Sequence, residues 1–142
     1  MGTRPEAIKM IPVALYLRNN TNHKILICST GQHKELLNNV FQVFKIKPDL
    51  ALVHGDTANS MICSLAAFNE KIKIAHVEAG LRSFDNKSPW PEEVYRKLIS
   101  NMSDYHFCPT NLNLKNLVME NIPKKNILIT GKNYHALSLQ CI

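Results

Sequence analysis

The sequence predicts an open α/β domain built on a parallel sheet of the doubly wound kind. Three observations carry that prediction. Short apolar runs of strand length recur along the chain, each is followed by a segment with helical spacing, and no internal repeat or low-complexity stretch interrupts the alternation. The 142 residues, 45% of them hydrophobic, suffice for one domain with a core and are too apolar for a disordered chain.

Thr3-Arg4-Pro5-Glu6 has the Thr-x-x-Glu form of a capping box and opens a helix to about Leu17, with a kink expected at Pro12. Lys24 to Ser29 reads as a short buried strand, and His33 to Phe44 as a helix with Leu36, Leu37, Val40, Phe41 and Phe44 on one face. Leu50 to Val53 is a strand. Ala58 to Asn69 is a helix facing inward through Met61, Ile62, Leu65, Ala66 and Phe68. Ile72 to Val77 is the next strand, and Glu92 to Met102 a helix with Pro91 at its start. Tyr105 to Cys108, Leu112 to Asn121 and Asn126 to Thr130 close the chain as strand, helix and strand.

Composition excludes several classes. The longest apolar run, Met10 to Leu17, is far short of the roughly 18 residues of a membrane span. It follows Arg4 and Lys9 as a signal peptide's core would, but Glu6 lies among the charges and Arg18-Asn19-Asn20 replaces a cleavage site. Cys28, Cys63, Cys108 and Cys141 are too dispersed for a zinc site and read as reduced thiols of a cytoplasmic protein. Lys+Arg number 17 against 11 Asp+Glu, a net charge of +6, yet the basic residues are scattered and adjacent at only Arg96-Lys97 and Lys124-Lys125, so no nucleic-acid stripe is expected.

Ligands of such sheets gather outside the carboxyl ends of the strands. There the sequence places His54-Gly55-Asp56-Thr57, Glu78-Ala79-Gly80-Leu81-Arg82 and Pro91-Glu92-Glu93. Asp56 can be a helix cap, and Glu92 and Glu93 can complement a helix dipole. Glu78 is harder to dismiss, because a carboxylate closing an apolar strand must face a cleft or find a partner. Three carboxylates at one sheet edge also suit acid and base chemistry. Gly2-Thr3-Arg4-Pro5-Glu6 adds a glycine turn entering a helix N-terminus, with Arg4 and Lys9 as cations, an arrangement that suits phosphate. Gln32 and His33 sit at another strand-to-helix turn, while His54 and His76 read as packing or supporting histidines rather than metal ligands.

Together the motifs are far more specific. Gly2 to Met10 (GTRPEAIKM), Thr30 to His33 (TGQH), Val53 to Thr57 (VHGDT), His76 to Arg82 (HVEAGLR), Ser88 to Glu93 (SPWPEE) and Ile129 to Gly131 (ITG) closely resemble the N-terminal domain of the non-hydrolysing UDP-N-acetylglucosamine 2-epimerases. The resemblance implies a Rossmann-like half of a GT-B fold over residues 1–131, with a divergent tail at 132–142 and the uridine-binding domain absent. It implies inversion at carbon 2 of UDP-GlcNAc to give UDP-ManNAc, by elimination and re-addition of UDP through 2-acetamidoglucal. Asp56, Glu78 and Glu92 then correspond to catalytic carboxylates, Arg4 and Lys9 to substrate or phosphate partners, and Gln32 to an allosteric site. No metal and no organic cofactor is implied. UDP-GlcNAc is the expected ligand, and a homodimer or a complementing C-terminal half the expected protein partner.

The chain also departs from the family. Met1 stands directly before Gly2, where relatives carry a strand, and Ile46-Lys47-Pro48-Asp49-Leu50 closes over a strand and helix that relatives retain. Family members continue past the point where this chain reaches Ile142, into a domain carrying a catalytic histidine. Three readings stay open on the sequence: an epimerase whose isolated chain is inactive, a non-catalytic remnant or nucleotide-sugar-binding domain, and, ranked last, a basic nucleic-acid binder.

Overall fold

The computed structural model describes residues 4–28 and 48–131. Helix α1 (Arg4–Asn20) runs without a break through Pro12 and three residues past the expected end. Polar side chains take up its last carbonyls: Asn20 Nδ2 donates to Tyr16 O at 2.9 Å and Thr21 Oγ1 to Leu17 O at 2.6 Å. Arg18 in the final turn complements the helix dipole.

Four strands then alternate with three helices: β1 (Leu50–His54), α2 (Ala58–Asn69), β2 (Lys73–Val77), α3 (Glu92–Met102), β3 (Tyr105–Cys108), α4 (Asn111–Met119) and β4 (Ile127–Ile129). All pairings are parallel and the order is β1-β2-β3-β4, an open Rossmann-like sheet as expected. Lys24–Cys28, expected as a strand, makes no sheet pairing, and Leu26 and Ile27 are exposed. An apolar run becomes a strand only when a neighbour completes its ladder, and no described strand does so here. Ser29, the helix expected over His33 to Phe44 and residues beyond Gly131 lie outside the described residues.

Thr57, in extended conformation, caps α2 by accepting Ser60 N–H at 3.2 Å. The fully buried residues of α2 are Ser60, Ser64 and Ala67; of the residues expected to face inward, Met61 and Ala66 pack against the core, whereas Leu65 and Phe68 are exposed. Small side chains let the helix axis approach the sheet, and each hydroxyl is satisfied: Ser60 Oγ donates to His54 O at 2.6 Å and Ser64 Oγ to Ser60 O at 2.8 Å. Helix α4 stops at the Glu120 cap, followed by Asn121 at φ 65, a left-handed position that asparagine tolerates.

One core cluster joins Val53, Ala67, Ile74 and Ile99, with Met61, Tyr95 and Met102 packed around it. A second joins Ala79, Cys108, Leu117 and Ile127. Burial pushes the Cys108 thiol up to about 11, partly opposed by Arg82, so it is an inert core thiol. Backbone bonds from Gly55 N to Val77 O and from Ala79 N to Phe107 O, both 3.0 Å, carry the ladder past the strands. The loops at the carboxyl ends of β1 and β2 therefore start from fixed positions.

Candidate active site

Asp56 follows β1 directly. Because Thr57 supplies the cap of α2, the Asp56 carboxylate is left for another partner, Arg96 of α3. Arg96 places Nε at 2.8 Å and Nη2 at 2.6 Å from Asp56 Oδ2. Its remaining nitrogen, Nη1, lies 3.3 Å from Glu93 Oε2. Glu93 is fully buried one turn earlier on the same helix. It accepts Ser83 N–H at 3.0 Å and Phe84 N–H at 3.1 Å. Burial alone would raise its carboxyl, but these two N–H groups and Arg96 outweigh burial and hold it below the ordinary carboxylate range. A continuous hydrogen-bonded chain thus ties the end of β1, the first turn of α3 and the loop at 83–84.

Glu78 stands at the end of β2 with φ 67, a left-handed backbone unusual for a residue with a side chain. Lys9 Nζ of α1 lies 2.9 Å from Oε1 and 3.0 Å from Oε2, and His54 Nε2 of β1 lies 3.3 Å from Oε2. A Cβ built on Gly55 would sit 3.9 Å from the same Oε2, so the carboxylate lies against the turn that carries Asp56. Lys9 and Glu78, both predicted from the sequence, are brought into direct contact, each about one-fifth exposed.

The segment after Glu78 is pinned at several points. Gly80, at φ 84, passes so close to α4 that an added Cβ would lie 2.4 Å from Asn113 O, and Asn116 Nδ2 donates to Gly80 O at 2.9 Å. Arg82, with its side chain fully buried, donates from Nε and Nη2 to the two oxygens of Glu120 at 2.6 and 2.7 Å, and from Nη2 to Ser100 Oγ at 2.9 Å. Beneath the loop, His76 donates from Nε2 to Gly55 O at 2.8 Å, and burial lowers its pKa to about 3, with smaller contributions from His106 and Arg82. His106 is likewise lowered by burial and donates to Ser100 O at 3.0 Å. Both rings are neutral supports of the sheet edge, as expected for His76.

Glu92 occupies the first turn of α3, half-buried, and makes no hydrogen bond or ion pair among the described residues. It is the carboxylate left available, whereas its neighbour Glu93 is consumed by structure. Arg4 opens α1, but its side chain lies outside the described atoms, and Gln32 lies outside the described residues. No three His, Cys, Asp or Glu side chains come together as metal ligands among the described residues. Sequence reasoning missed Arg96 and gave Glu93 only a dipole role. The signal was their i, i+3 spacing on the helix that starts beside Asp56 in space, which only the fold reveals.

Residues 43–136 match the family model of the UDP-N-acetylglucosamine 2-epimerases. The chain belongs to this family. The epimerase of Neisseria meningitidis serogroup A is 40% identical over 92% of this chain, and that of Escherichia coli K12 is 39% identical over 92%. The chain spans 44% and 43% of the length of those two relatives. Their alignments run over 163 residues against a chain of 142, so the relatives carry residues that this family member lacks within the matched span. Among solved structures, the N. meningitidis UDP-GlcNAc 2-epimerase bound to UDP-GlcNAc superposes with a TM-score of 0.88 at 38% identity, covering 97% of this chain and 46% of that one. The S. aureus MnaA–UDP co-structure superposes with a TM-score of 0.90 at 34% identity, covering 99% and 46%. The epimerase-family fold is thus retained over the described residues.

Proposed function

We propose that this chain is the N-terminal, proton-transferring half of a UDP-N-acetylglucosamine 2-epimerase, active only when a uridine-binding half completes the cleft. The observation that carries the reading is the placement of Asp56 and Glu78 at neighbouring parallel strand ends, each with its own cation, with Glu92 in the first turn of the helix whose Arg96 holds Asp56. In the reaction a carboxylate takes the carbon-2 proton while the bond from carbon 1 to the UDP oxygen breaks. The released electron pair forms the double bond of 2-acetamidoglucal, and UDP leaves with the charge of the broken bond. Re-addition of UDP and protonation of carbon 2 from the opposite face give UDP-ManNAc. Lys9 and Arg4 are assigned to the diphosphate, whose charge rises as it departs. Gln32 is assigned to an allosteric nucleotide-sugar site.

Residues 1–131 form the domain and 132–142 a tail in this reading. A homodimer or a complementing half is the protein partner, the compartment is cytoplasmic, and nucleic acid has no part. No described helix is long and apolar enough to cross a membrane. The alternative is a nucleotide-sugar-binding domain without turnover. Proton NMR of UDP-GlcNAc incubated with the purified chain separates these. The chain alone is expected to give no UDP-ManNAc and to do so once a uridine-binding half is added; continued absence of product with that half present supports the binding domain instead.

A further inference from the structure

His54 closes β1 and pairs in register with Val77, the residue before Glu78. Its imidazole is buried and places Nε2 3.3 Å from Glu78 Oε2. Lys9 Nζ is nearer, at 2.9 and 3.0 Å from the two Glu78 oxygens, so distance alone would give Lys9 the task of orienting that carboxylate. Rigidity decides otherwise. Lys9 reaches over from α1 on a flexible stem, 22% exposed, and touches both oxygens alike, so it supplies charge without selecting an orientation. The His54 ring turns about only two side-chain bonds, is buried, and approaches one oxygen alone. We propose that His54 is a positioning residue for Glu78: its ring donates the Nε2 proton to Oε2, and this fixed donor holds the carboxylate in the single orientation that presents it to carbon 2 of the sugar.

This inference rests on the epimerase reading for what Glu78 does, but the donor itself needs no substrate. Three features favour it. The backbone that carries the ring is fixed on both sides, because Ser60 Oγ donates to His54 O at 2.6 Å and Gly55 N to Val77 O at 3.0 Å. Glu78 has the left-handed φ of 67, a conformation that persists only where its surroundings hold it, and the turn at Gly55 lies against the same oxygen that His54 approaches. The remaining polar groups at this edge are already engaged: His76 Nε2 is on Gly55 O at 2.8 Å, and Asp56 is held by Arg96. Bonds from an N–H to a carboxylate are among the stronger ones, so a single donor on a rigid strand is enough to choose a rotamer. The sheet itself, through its last residue on β1, then aims the carboxylate at the end of β2.

NMR couplings about the Glu78 side-chain bonds, measured on the full chain at neutral pH, test the proposal in the wild type, His54→Phe, His54→Gln and Lys9→Met. Phenylalanine keeps a flat ring and removes the donor, whereas glutamine keeps an N–H within reach of the same oxygen without the ring. One Glu78 rotamer is expected in the wild type, His54→Gln and Lys9→Met, and averaging over rotamers in His54→Phe. A single rotamer in His54→Phe, averaging in both His54 variants, or averaging in Lys9→Met would each overturn the proposal, the last by giving the orientation to Lys9. Because a substitution can disturb folding, the unsubstituted chain provides a second measurement: nitrogen NMR of the His54 ring is expected to show a proton on Nε2 that exchanges slowly with water, and a bare Nε2 contradicts the donor. In the complemented enzyme, His54→Phe is expected to lower kcat about tenfold with KM little changed, and His54→Gln to recover most of it; an unchanged kcat in His54→Phe overturns the positioning role. The couplings involve no sugar and no turnover, so the donor and the epimerase reading fail separately.

Discussion

Arg96 grips a single oxygen of Asp56, Oδ2, with two of its nitrogens, at 2.8 and 2.6 Å, while its third reaches the buried Glu93. The carboxylate at the end of β1 is therefore oriented from a helix forty residues later in the chain. Arg96→Gln should lower stability by about 1–3 kcal/mol, the usual cost of removing charge-assisted bonds. Arg96→Lys should recover less than half of it, since an ammonium cannot reproduce the fork. Urea unfolding of the three proteins checks this, and full recovery by lysine would show that charge alone matters.

Glu92 and Glu93 are adjacent in sequence and opposite in expected behaviour. Glu93→Gln places an amide among three donors in a buried site and should cost about 3 kcal/mol. Glu92→Gln removes no described bond and should change stability by less than about 0.5 kcal/mol, yet abolish epimerisation in a complemented enzyme. Melting curves and turnover measured on the same preparations separate the two roles.

How far the sequence foretold the structure depends on where the deciding information lies. The parallel alternation, the bounds of α2, α3 and β3, and the gathering of Glu78 and Asp56 at the carboxyl ends were legible because periodicity and strand-to-helix order are local. The cap of α2 fell one residue later than the first acceptable side chain, at Thr57, which released Asp56 for Arg96. The inward face of α2 was misread at Leu65 and Phe68, because hydrophobicity points to them while closeness to the sheet selects Ser60, Ser64 and Ala67. Lys24–Cys28 shows the same limit, since a strand is defined by a partner that the run itself does not encode.

The buried histidines predict a pH dependence with a definite sign. His76 titrates near 3 in the fold and near 6.5 when unfolded, and His106 is lowered in the same direction. The unfolded chain therefore binds more protons, and stability present above about 6.5 should fall as pH drops, by up to about 1.4 kcal/mol per pH unit for His76 on the way to about 3, with His106 adding a loss of the same sign. Glu93, also lowered, adds its own loss only below about 4.5. Denaturant midpoints between pH 7 and 5 should flatten in His76→Gln/His106→Gln. An unchanged slope would mean that other groups carry the titration.

Two glycines with similar backbone angles should respond differently to alanine. Gly80 has φ 84 and a backbone oxygen 2.4 Å from the added Cβ, whereas Gly131 has φ 78 and nothing within 4 Å. Gly80→Ala should cost about 3 kcal/mol or more and displace the segment after Glu78, against about 1 kcal/mol of backbone strain for Gly131→Ala. Equal melting temperatures would contradict the close approach to α4.

The most direct test of the central claim is deuterium incorporation at carbon 2. The chain, mixed with a uridine-binding half from a full-length family member, is incubated with UDP-GlcNAc in deuterated water and the sugar is followed by proton NMR. The account predicts UDP-ManNAc carrying deuterium at carbon 2, none from either half alone, and loss of incorporation in Asp56→Asn, Glu78→Gln and Glu92→Gln. Incorporation that survives all three substitutions, or its absence from the mixture of folded halves, would contradict the assignment of proton transfer to this chain.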